Sequence, residues 1–182
     1  TWGSKKNFDN DGNYFDSYFN LKATDVPKSL WFIIYTDDDL DNLNLKNIYL
    51  IKRKKIFIFK KIINFSFIIV KTILINIFSL KKLVHTLSWH TQFSKIVLNL
   101  FKKTIKKDVK LILMPYEGQP FQTTIIHEVK SNHKDIKING FVHSYPSLPT
   151  HLLKRKDSPN NLILSSKDQE ESFLKYLGWE NK

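Results

Sequence analysis

Cysteine is absent from this chain, which excludes disulfides and thiolate metal sites and makes a reducing compartment the simple default. The short signatures of common chemistry are missing too. There is no G-x-G-x-x-G, no P-loop and no G-x-S-x-G elbow, which removes the usual dinucleotide, nucleoside-triphosphate and serine-hydrolase readings. In "HEVKSNH" His127 and His133 stand six apart, whereas the zinc-protease helix needs four. His85 and His90 are five apart, off-register for one helix face. We therefore expect no histidine metal site. No charged-then-apolar-then-small leader pattern follows Thr1. Nothing resembles an RNA-recognition signature or a zinc finger, so nucleic acid is not an expected partner. Glycine and proline are scarce, at five and six, which makes a place where they cluster informative.

What is present fits a globular protein: 182 residues, 42% hydrophobic and 25% charged. That length holds one ordinary domain with a real core, so residues 1–182 read as a single domain. A start at Thr1 and an end just past a helix lead us to expect a piece of a longer chain, cut at both ends. The net charge is +12, from 29 Lys+Arg against 17 Asp+Glu. Such a balance suits an anionic membrane surface or a phosphorylated ligand. It also follows from a composition rich in lysine, isoleucine and asparagine throughout.

Along the chain, residues 1–29 are polar, aromatic-rich and aperiodic, and read as loop. "LWFIIYT" (30–36) and "NIYLIKRKK" read as strands. The stretch 56–80 approaches the length and apolarity of a membrane span, but Lys60, Lys61 and Lys71 interrupt it, and a mid-span lysine is costly. A buried or interfacial helix is the expectation. Over 85–107, Trp89, Phe93, Ile96, Val97, Leu100 and Phe101 recur at steps of three and four, a helical stripe, with lysines at the end that suits the helix dipole. "VKLILM" (109–114) is a strand and Thr123–Lys130 a helix with Phe121, Ile125 and Val129 on one face. "IKINGFV" (136–142) and "NLILSS" (161–166) are further strands. A last helix is capped by Ser166 and Gln169 and stopped at Gly178. Strand–helix–strand followed by strand–helix is the grammar of a Rossmann-like α/β fold, a parallel sheet with flanking helices.

The scarce glycines and prolines converge on one place. In "LILMPYEGQPFQTTIIHEV" Pro115, Gly118 and Pro120 surround Glu117. Glu117 follows one strand and His143 follows the next strand of the same strand–helix–strand unit. Parallel neighbours lie about 4.8 Å apart, and their carboxyl ends open onto the crevice where open α/β sheets bind ligands. An acid and an imidazole brought together there can do general acid–base work near pH 7. A rival site is "TDDDLD", where Asp37–Asp39 follow an apolar strand. Paired carboxylates of that kind hold Mg²⁺ or Mn²⁺ against a nucleotide-sugar diphosphate in metal-dependent transferases.

The segments "MPYEGQPFQTTIIHEVK", "IKINGFVHSYPSLPT" and "SPNNLILSSKDQEESFLKYLGW" together resemble a family of bacterial surface-polysaccharide enzymes. These are GT-B-like glycosyltransferases of capsule or lipopolysaccharide assembly. The resemblance covers about residues 109–179. Tyr116, Glu117, Gly118 and Gln119 match its first motif. Gly140, His143 and Ser144 match its second, and Pro146, Leu148, Pro149 and Thr150 a following turn. The resemblance implies half of a two-domain architecture, the acceptor-side domain, with the second, donor-binding domain absent. It also implies transfer of a sugar from a nucleotide-sugar donor, with no other cofactor, to a glycan or lipid-linked acceptor. Glu117 would then be the base. His143 would donate hydrogen bonds, and Tyr116, Gln119 and Ser144 would position sugar hydroxyls, beside Gly118, Pro149 and Thr150. The protein would sit in the cytoplasm, peripheral to the inner membrane. The remaining alternative is a non-catalytic α/β module that binds an anionic membrane surface or polyphosphate.

Overall fold

A computed structural model describes residues 1–36, 40, 47–53, 88–105, 108–143 and 149–180. The 56–80 stretch, His85, Asp37–Asp39 and Ser144 lie outside the described residues, as do Pro146 and Leu148. The chain divides into two compact units, Thr1–Ile56 and Phe57–Lys182.

In the first unit β1 (Phe15–Asp16) pairs antiparallel with β2 (Leu21–Lys22), and β3 (Trp31–Tyr35) pairs parallel with β4 (Ile48–Lys52). Both strands expected around 30–52 are there. The stretch read as loop is more ordered than expected. Tyr14 is buried, edge-on to Trp31 at 5.4 Å and tilted against Phe8 at 5.1 Å. Asp16 is fully buried. It accepts the Tyr14 hydroxyl at 2.9 Å and the N–H groups of Tyr18 and Phe19, each at 2.9 Å. Burial, and then the neighbouring Asp16 carboxylate, push the Tyr14 phenol upward, so it stays a neutral donor. An aromatic cluster tied by side-chain-to-backbone bonds has no period, which is why no periodic pattern reveals it.

The second unit carries a three-stranded sheet in the order β5-β6-β7, formed by Leu111–Pro115, Lys137–Val142 and Asn161–Leu164. Both pairings are parallel, with Leu111 opposite Lys137, Pro115 opposite Phe141, and Asn139 opposite Asn161. Among the described residues three helices accompany it: α1 (Trp89–Thr104), α2 (Pro120–Asn132) and α3 (Lys167–Tyr176). Every strand and helix expected between 85 and 178 is present, so the unit is α/β with a parallel sheet and flanking helices.

The helix faces depart from the expected stripes in an instructive way. On α1, Phe93, Val97 and Phe101 are buried together with Ser94, whereas Ile96 is 43% exposed. On α2 the buried positions are Gln122, Ile126 and Val129, a face turned by one residue from the expected 121/125/129 stripe. Phe121 instead packs edge-on against Phe93 of α1 at 5.8 Å, and Glu128 pairs with Lys102 of α1 at 2.8 Å. A helix with two neighbours spreads its apolar residues over two faces, so a single stripe describes it poorly.

Alternation along β6 buries Ile138, Gly140 and Val142, while Lys137, Asn139 and Phe141 point the other way. Helix α3 has the expected caps. Ser166 accepts the Gln169 N–H at 3.3 Å, and Gly178 takes φ +69° past the helix end. The Gln169 side chain reaches one residue further back than a capping box requires, accepting from Ser165 N–H at 2.8 Å. Among the described residues no helix is long and apolar enough to cross a membrane.

Candidate functional site

Strand β5 ends at Pro115, which has no N–H to donate. The next residue, Tyr116, still donates its N–H to the Phe141 carbonyl at 2.8 Å, so the turn begins in register with β6. Glu117 and His143 therefore leave the carboxyl ends of neighbouring strands side by side. His143 Nε2 lies 3.6 Å from Glu117 Oε1, with both side chains about one third exposed or less. That separation allows an ion pair when the imidazole is charged, and leaves both groups accessible to a ligand.

The turn that carries Glu117 is held from several directions. Gly118 adopts φ +68°, the left-handed region that glycine enters without penalty. It also lies against the short helical turn Pro149–Leu152. A Cβ at Gly118 would stand 2.2 Å from the backbone oxygen of His151. Gln119 donates its side-chain amide to Glu117 Oε2, leaving Oε1 toward His143. Pro120 starts α2 at a position where a missing N–H costs nothing.

Gln122 was not anticipated. It is 2% exposed. Its Oε1 accepts the backbone N–H of Glu117 at 3.1 Å and of Gln119 at 3.0 Å, and its Nε2 donates to the Pro115 carbonyl. The available signal was a glutamine at the third helical position, where a capping-box residue reaches back.

The other expected site residues divide. Glu117, Gly118, Gln119 and His143 share this edge, and His151, from the short helical turn that begins at Pro149 and Thr150, abuts it at Gly118. Thr150 is exposed, and its carbonyl accepts from Leu153 N–H and the Arg155 guanidinium. Tyr116 is 3% exposed and faces inward, bonded to Ser158, with its ring edge-on to Trp179 at 6.5 Å. Burial raises its phenol above the ordinary range, so it serves as a neutral support beneath the turn. Ser144 lies outside the described residues.

Behind the turn, Lys130 donates to the carbonyls of Lys156 at 2.9 Å and Ser158 at 2.6 Å, tying α2 to the loop before β7. A hollow of about 620 Å³ lies elsewhere, along β7 and α3, bordered by Asn161, Leu164, Ser165, Phe173 and Trp179. It includes neither Glu117 nor His143. We place the candidate site on the Glu–His edge because titratable groups converge there, whereas the hollow lies beside β7, the last strand of the sheet among the described residues, and a sheet edge leaves such a space by itself. Among the described residues no group of three or more His, Cys, Asp or Glu side chains is arranged to hold a metal ion.

The fold and this edge define an α/β protein with an acid–imidazole pair at the carboxyl end of a parallel sheet. No family model, curated protein or solved structure matches the chain.

Proposed function

We propose that this chain supplies the acceptor side of a GT-B-type glycosyl-transfer site, moving a sugar from a nucleotide-sugar to a surface-polysaccharide or lipid-linked glycan. One observation carries the reading: Glu117 Oε1 and His143 Nε2 lie 3.6 Å apart at the ends of adjacent parallel strands, where open α/β sheets bind ligands. In the reaction Glu117 takes the proton of the acceptor hydroxyl as its oxygen bonds to the anomeric carbon. The bond from that carbon to the diphosphate breaks, and the nucleotide diphosphate leaves with the electron pair. His143 donates a hydrogen bond to the acceptor or to the departing diphosphate. Gln119 holds the second carboxylate oxygen, so the base acts from a fixed direction. The net charge of +12 favours a working position at the cytoplasmic face of the membrane, where anionic lipids attract basic surfaces.

The test is Glu117→Gln, assayed in the protein that carries this chain. The amide keeps size and the bond to Gln119 but removes the base. Turnover should fall by about 10²–10⁴-fold, the usual contribution of general-base catalysis, with acceptor affinity little changed. His143→Ala should lower turnover with a steeper dependence on donor concentration. Near-normal turnover in Glu117→Gln sinks the assignment. Inhibition by EDTA matched by loss of activity in Asp38→Asn transfers it to the metal-dependent alternative.

A further inference from the structure

We infer that Gln122 is the positioning residue of this site, the side chain that presents the Glu117 carboxylate to His143. Its place is unusual for its chemistry. Gln122 shares a helix face with Ile126 and Val129, both fully buried, where an apolar side chain is the ordinary occupant. Burying an amide there is costly unless its hydrogen bonds are made. Here three are made, and all go to one segment. They run to the N–H of Glu117, the N–H of Gln119 and the carbonyl of Pro115.

Helix capping accounts for only one of the three, the bond to the Gln119 N–H. The other two fix residues before the helix. Together they define the backbone on both sides of Gly118, and Gln119 then carries that order outward by donating to Glu117 Oε2. The sequence of contacts is continuous from the buried amide to Oε2 of the carboxylate, whose other oxygen, Oε1, lies 3.6 Å from His143.

The protein holds its own control. Gln169 occupies the same third position of α3, is also buried, and its side chain takes one N–H, that of Ser165. No glutamate stands in that turn. Three bonds are spent where the turn carries Glu117, and one where it does not.

Amide hydrogen exchange on the 182-residue chain, read residue by residue by NMR, tests the role. In Gln122→Met the amides of Glu117 and Gln119 should exchange about tenfold faster, one hydrogen bond's worth each. Those of Ile126, Ile138 and Val142 should follow only the global stability. Gln122→Glu provides the second arm. A protonated carboxyl can donate to the Pro115 carbonyl and accept from both N–H groups. Protection at Glu117 and Gln119 should therefore be kept at low pH, where the introduced carboxyl is protonated, unlike in Gln122→Met. Unchanged protection at the two amides in Gln122→Met, or a loss there that runs only through global unfolding, overturns the inference. So does a Gln122→Glu variant that has lost this protection at low pH. The catalytic consequence rests on the glycosyl-transfer reading: Gln122→Met should lower turnover while leaving acceptor KM unchanged. Normal turnover in Glu117→Gln defeats that reading alone, because the exchange pattern judges Gln122 without any activity.

Discussion

The turns from β5 into α2 and from β7 into α3 are built from the same parts and differ in what they hold. Each is closed by a buried glutamine at the third helical residue that reaches back to N–H groups of the turn. The second is short and plain: Ser165 and Ser166 link strand to helix, and the Ser166 hydroxyl caps α3. The first is longer, and its additions are ones the strand-to-helix connection does not itself require. It has a charged carboxylate, a left-handed glycine pressed against another backbone, and a cap residue whose side chain is diverted to that carboxylate. Local conflict of this kind concentrates at functional sites and is compensated by surrounding structure. The plain turn shows how little the fold itself requires.

The largest effect should come from setting Gly118, in the first turn, against Gly178, which follows the far end of α3. Gly118 and Gly178 have nearly equal φ, +68° and +69°, but different surroundings. An added Cβ at Gly118 meets the His151 backbone at 2.2 Å, whereas at Gly178 the nearest atom is Lys154 Cβ at 3.8 Å. Gly118→Ala should cost about 2–5 kcal/mol, backbone strain plus displacement of the neighbouring turn. Gly178→Ala should cost only the strain, about 1–2 kcal/mol. Urea unfolding followed by circular dichroism measures both, and equal losses would remove the crowding argument.

A smaller difference is expected between the glutamines. Gln122→Met strands three backbone groups and Gln169→Met one, so losses of about 2–4 and about 1 kcal/mol are expected in the same assay. Equal losses would mean that the two turns are held alike.

The smallest effect concerns α2 alone. Its Glu128 carboxyl is held below the usual range, first by the hydrogen bond from Lys102. A depressed folded value means that the stabilisation is present above the unfolded carboxyl range and is lost as pH falls through the folded one. Lys102 is about half exposed, so screening leaves about 0.2–1 kcal/mol. Lys102→Ala should erase that part of the acid dependence, and so should high salt.

The comparison also explains what could be read in advance. Strands β5, β6 and β7 and all three helices were legible because apolar runs broken by Pro115, Gly118 and Gly178 leave few alternatives. The meeting of Glu117 and His143 followed from topology, since parallel neighbours deliver their carboxyl ends to one edge. Gln122 was not legible, because a glutamine in an amphipathic helix reads as solvent-facing. Nor was the inward turn of Tyr116, which depends on a hydroxyl partner, Ser158, more than forty residues away in the chain. The Tyr14–Asp16 cluster escaped for the same reason: its bonds are specific and have no period.

The strand order of the second unit has a kinetic consequence. Because β5, β6 and β7 lie side by side in the order in which they are made, each pairing closes a chain segment of only about 20–30 residues, a modest entropic cost. Low sequence separation favours fast, sequential folding. On a ribosome, the acid and the imidazole would meet once β6 has emerged. The Pro149–Leu152 turn would then close over Gly118, and β7 would join last. The chemistry would be assembled first and locked afterwards.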